Sequence, residues 1–168
     1  NARTNTEKNI SLYQAQQTVL NQNLQELGNK LQTAKSNFAE ILKATPGIET
    51  YISYMDEQKS LNQRLQYLQQ MQMVAKGYKD PVNAKKYFSD ADAAELTELT
   101  NKLKEIESFI TSFEKKNTNI EAGSFVGNKV IAYINAQKEI QDIEAQTTQK
   151  TNELSIATAN YYKMLDTK

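Results

Sequence analysis

The sequence predicts an all-α protein: an elongated antiparallel helical bundle of three to four long helices with coiled-coil-like packing, and a short helix in the 78–89 connection. Three observations carry this expectation. Apolar residues recur at alternating steps of three and four, which puts them on one stripe of a helix with 3.6 residues per turn. The period-two alternation of a half-buried strand is missing from these segments. The breakers Pro46-Gly47, Gly77, Asp80-Pro81, Gly123 and Gly127 fall between the periodic runs.

The first run is the clearest. Ile10, Tyr13, Gln17, Leu20, Leu24, Leu27, Leu31, Ala34, Phe38 and Ile41 form one seam. Such a seam drifts around a straight helix, so a neighbour wraps it with a slight left-handed twist. Gln17 is its one polar member, and a polar residue at a seam fixes register at some cost in stability. Thr4 with Glu7 reads as a capping box, so the helix is expected over 5–44. Pro46 disfavours helical backbone in Thr45, and Gly47 permits a tight turn. At 1.5 Å per residue this helix is about 60 Å long.

The second helix is expected over 48–76, with Tyr51, Tyr54, Gln58, Leu61, Leu65, Leu68, Gln72 and Ala75 as its seam and Gly77 just past its end. The three-residue linker before it favours an antiparallel neighbour. Asp80-Pro81 then opens a short helix, the acid as N-cap and the proline at the first helical position. Ser89 with Asp92 is a variant capping box for the next helix, 90–115, whose seam is Leu96, Leu99, Leu103, Ile106, Ile110 and Phe113. Acids gather at its start and Lys115-Lys116 at its end, as the helix dipole prefers.

The last helix is expected over 124–166. Its seam reads Val126, Val130, Tyr133, Ala136, Ile140, Ile143, Thr147, Lys150, Leu154, Ala157, Tyr161 and Met164. The polar stretch 146–152 predicts looser packing or a buried hydrogen-bond layer. No linker divides the chain, so residues 1–168 are expected to form a single helical-bundle domain.

Composition narrows the function. There is no Cys and no His, so thiol nucleophiles, zinc–thiolate sites, Ser–His triads and Glu-x-x-His di-iron sites are excluded. Formal net charge is zero and the pI about 6.6, which removes the electrostatic case for nucleic acid. No apolar stretch approaches the ~20 residues of a membrane-spanning helix. Asp90, Asp92 and Glu95 cluster at a helix start, where the dipole and the cap already account for acids, and they lack the glycine turn and spacing of a calcium loop. No phosphate-binding loop occurs, and Gly123 to Gly127 reads as a turn. No enzymatic activity, cofactor or metal is therefore expected.

The expected partner is another protein, and self-association is compatible with the seams. If the helices alternate up and down, Tyr13, Tyr78, Tyr87, Phe88, Tyr161 and Tyr162 gather where the bundle narrows, either as a hydrophobic plug or as a binding patch. Lys85 and Lys86 flank it. The candidate partner-binding residues are Tyr78, Lys85, Lys86, Tyr87 and Phe88, with Phe125 at the opposite turn near Ile120 and Val126.

Asn and Gln make up roughly one residue in five, above ordinary usage, and wet a helix surface without adding charge. The sequence opens at Asn1, which predicts a processed or trimmed chain. Together these suggest an exported or surface-associated bacterial protein, periplasmic or on the cell surface. Its work would be adhesion, or a component's role in a secretion or pilus apparatus. The alternative is an intracellular coiled-coil adaptor or scaffold.

Overall fold

A computed structural model describes residues 1–167. The fold is an all-α helical bundle. Its helices are α1 (Ala2–Ala44), α2 (Ile48–Lys76), α3 (Pro81–Tyr87), α4 (Asp90–Lys116) and α5 (Val126–Asp166). None of the seam positions named above is exposed. The period that predicted the helices also identified the face that each one buries.

The chain forms two compact units. The first comprises Asn1–Ala44 and the chain from Ile131 onward, and the second is Thr45–Val130. In the first, α1 and α5 run antiparallel. Phe38 and Tyr133 set their rings 5.1 Å apart, and Gln17 donates to the Thr158 hydroxyl at 3.0 Å. Leu27, Ala34 and Ile143 are the buried centre of this seam, with Leu31 and Ile140 packed against them. The seam glutamine thus finds a partner on the opposite helix, the arrangement by which a buried polar side chain selects one register.

The 146–152 stretch is not a hydrogen-bond layer between helices. Thr147, Thr148 and Thr151 turn their hydroxyls back to carbonyls four residues earlier on α5, and Lys150 pairs with Glu153 on the same helix. Hydroxyls on a helix readily take this local acceptor.

The start of α1 also differs from expectation. Asn1, not Thr4, supplies the cap, its side-chain oxygen accepting from the Thr4 N–H at 2.9 Å. Glu7 pairs with Arg3 one turn back instead of closing a box with Thr4.

In the second unit α2 takes α4 as its antiparallel neighbour, and α3 folds back on α2. The end of this pair near Gly47 is an aromatic stack. Tyr51 lies on Phe113 at 4.4 Å, Tyr54 meets Phe109 edge-on at 5.3 Å, and Phe109 and Phe113 stack at 6.1 Å. Gly47 makes the turn possible, at φ 87°, a left-handed conformation that costs other residues roughly 1–2 kcal/mol. A Cβ there would stand 3.5 Å from the Phe109 ring. Ile48, Leu68 and Ile106 are fully buried.

Candidate interaction surface at the α2–α3–α4 corner

The corner between α2 and α4 is shaped by three local devices. The last turn of α2 tightens, with the Gly77 N–H donating to the Val74 carbonyl at 3.0 Å and the Tyr78 N–H to Ala75 at 3.1 Å. Gly77 does this at φ −74°, in the right-handed region, so its value is not conformational freedom. A Cβ at Gly77 would crowd the Val74 carbonyl oxygen at 3.2 Å.

Asp80 then caps α3. One carboxylate oxygen accepts from the Val82 N–H at 3.0 Å and the other from the Asn83 amide at 3.1 Å, with Pro81 at the first helical position. Ser89 and Asp92 close the capping box of α4 in both directions, at 3.1 and 3.0 Å. Each of the two caps has the residues its sequence pattern predicted, because both rest on contacts within three residues.

These devices hold an aromatic pair at the surface. Tyr78 and Tyr87 stack with centroids 5.1 Å apart and planes 13° apart, and the Tyr78 hydroxyl donates to that of Tyr87 at 3.3 Å. That hydrogen bond, more than the neighbouring oxygen's charge or burial, raises the Tyr78 phenol above its ordinary range. The rings remain 43% and 39% exposed, so they do not form the plug that was one expectation. Phe88 is half-buried and is the ring of this group that turns inward.

Lys85 pairs with Asp90 at 3.4 Å, with both groups well exposed, and Lys86 is exposed beside it. The corner offers two ring faces, two phenol oxygens and a rim of ammonium groups. That chemistry suits an apolar side chain flanked by acids on a partner.

The aromatics expected at one level belong to different units. Tyr78, Tyr87 and Phe88 are in the second, whereas Tyr13, Tyr161 and Tyr162 are in the first. Tyr161 stacks edge-on with Tyr162 and accepts from the Gln14 amide at 3.3 Å.

Phe125 is parted from the other five candidates within the second unit. It follows α4, at the end of the α2·α4 pair opposite α3, about 40 Å away along α2. There Asn119 and Ser124 exchange backbone hydrogen bonds of 2.8 and 2.9 Å around a turn closed by Gly123 at φ 68°. Phe125 is 46% exposed and Ile120, on the turn itself, 77%. Neither caps the core.

The acids Asp90, Asp92 and Glu95 do not converge. Asp92 closes the capping box, Glu95 is held by the Arg64 guanidinium, and Asp90 faces Lys85. Among the described residues no group of three or more His, Cys, Asp or Glu is placed to hold a metal ion, and no helix is long and apolar enough to cross a membrane.

Sequence reasoning missed the bidentate Arg64–Glu95 pair, at 2.8 to 3.0 Å, because its members lie on different helices and either could have served another partner. The chain matches no protein-family model, no curated protein and no solved structure.

Proposed function

We propose that this is a non-enzymatic helical interaction protein that engages a protein partner through the Tyr78–Tyr87 corner. The observation that carries the reading is the stacked tyrosine pair, two large rings kept accessible by a doubly capped turn. Tyrosine binds well from such a position because it brings large amphipathic area with few rotamers to freeze. Lys85 and Lys86 add a basic rim that favours an acidic partner and speeds its approach. The amide-rich, cysteine-free composition supports an exported or surface-associated role in a bacterium, in adhesion or as part of a secretion or pilus apparatus.

The test is capture from native membranes and culture medium with the tagged protein, compared with Tyr78→Ala/Tyr87→Ala. Envelope or secretion-machine proteins retained by the natural sequence and lost by the variant, with unchanged far-UV circular dichroism, are the expected result. Equal capture by both proteins overturns the site. Cytosolic partners lost by the variant overturn the exported assignment in favour of an intracellular adaptor.

A further inference from the structure

The first unit has an open side. Between α1 and α5, on one flank of the seam, runs a groove whose most apolar part holds about 540 Å³ and is lined by Ala15, Val19, Leu20, Ile156 and Ala157, with amides, Lys150 and Glu153 at its edges. It continues past Glu26, Lys30 and Gln146 to Asp142 and Asn135. Val19 and Ile156 line it from opposite helices and are 54% and 63% exposed. Two helices cannot enclose a third neighbour's place, so this flank is an unfilled corner of a larger bundle.

We propose that the occupant is a second copy of this chain, packed flank to flank about a two-fold axis running along the hairpin. Such an axis lays α1 against the partner's α5 with every adjacent pair of helices antiparallel, the favourable alternation of dipoles in a four-helix bundle. It also brings residues that are level within one protomer into contact between protomers. Gln17 is level with Thr158 and Gln14 with Tyr161, which puts Val19 level with Ile156.

The dimer therefore centres on an apolar layer of two valines and two isoleucines. On either side Gln16 meets Asn160 and Glu40 meets Asn135. Lys30 meets Gln146, Glu26 meets Gln149 and Thr33 meets Asp142, so the register sets no like charges opposite each other. The flank is about 50 Å long and two helices wide, on the order of 900 Å² per copy, against the ~800 Å² per partner of a stable interface.

The test is sedimentation equilibrium of the full chain from about 1 to about 100 μM, a range in which interfaces of this size associate. The expected mass is twice 19.1 kDa, falling to the monomer in Val19→Asp/Ile156→Asp. Both side chains are exposed, so helicity is expected to stay unchanged. The absence of cysteine from the sequence allows a second, independent readout. Mixing the single variants Val19→Cys and Ile156→Cys is expected to give a disulfide-linked pair, and replacing Val19→Cys by Asn21→Cys, on the other flank of the seam, to abolish it. A monomer at every concentration overturns the proposal and gives the groove to a helix of another protein. A dimer that survives the aspartates, or that cross-links equally through Asn21→Cys, also overturns it.

Discussion

The two units solve the same packing problem with different degrees of enclosure. In the second, Ile48, Leu68 and Ile106 fall below 2% exposure. In the first, a single seam between α1 and α5 buries Leu27 and Ile143 to 7% and 6%. The large side chains of this seam keep an edge in water, whereas the small Ala34 is buried to 2%. Burial per residue, and with it hydrophobic stabilisation, is smaller there. The pair gains by length instead, since each added heptad repeats the same modest contribution.

The largest expected effect tests that difference directly. Ile106→Ala opens a cavity in a fully enclosed site and is expected to cost about 4 kcal/mol. Ile143→Ala removes comparable atoms from a seam that solvent can partly refill, and about 2 kcal/mol is expected. Urea unfolding followed by circular dichroism measures both in the Val19→Asp/Ile156→Asp background, where the flank is uncovered. Equal costs, or the reverse order, would mean that the hairpin seam is as enclosed as the α2·α4 core.

The polar contacts between helices also differ. Those cited between α1 and α5, Gln17 with Thr158 and Gln14 with Tyr161, join neutral groups. Those between α2 and α4 use carboxylates. The Tyr51 hydroxyl donates to Glu114 at 2.9 Å. Burial first, then that hydrogen bond and the carboxylate's charge, push its pKa up from 10.0 to about 12.

The neutral phenol is therefore the form that the folded state prefers. Below pH 10 both folded and unfolded chains carry it and the contribution is intact. Between about 10 and about 12 the unfolded chain loses its proton first, so the second unit loses stability as pH rises. Tyr51→Phe is expected to flatten the fall of unfolding midpoint across that window, and an unchanged slope would contradict the assignment.

Much of this architecture was legible because it depends on short-range spacing. All four seams and the caps at Asp80 and Ser89 rest on contacts within one or two turns. The exceptions have local causes as well. Asn1 reaches the Thr4 N–H first, so Thr4 is left inside the helix, and Gly77 relieves crowding rather than supplying a left-handed turn. What the sequence could not convey is which seam meets which. Leucine stripes are interchangeable, so nothing in α1 alone specifies α5 over α2. For the same reason Tyr78 and Tyr87 could be singled out, being joined by a short capped helix, whereas the facing of Val19 and Ile156 required the register of two distant segments.

The smallest expected effect concerns the exposed contact between α2 and α4. Arg64 grips both oxygens of Glu95, at 2.8 to 3.0 Å, and lies 5.2 Å over the Tyr67 ring. These hydrogen bonds hold the Glu95 carboxyl below its ordinary 4.5. A depressed pKa stabilises the fold above the unfolded value and ceases to do so as pH falls through the folded one, so the contribution is present at neutral pH and fades below about 4.5. Water and salt screen a pair this open, and holding two long side chains in place offsets part of the attraction. Glu95→Gln is therefore expected to lower the unfolding midpoint at pH 7 and low salt only slightly, and to lower it progressively less as pH falls below about 4.5 or as salt rises to about 1 M, where screening is short-ranged. If instead its loss exceeds that of Ile106→Ala, charge rather than enclosure distinguishes the second unit from the first.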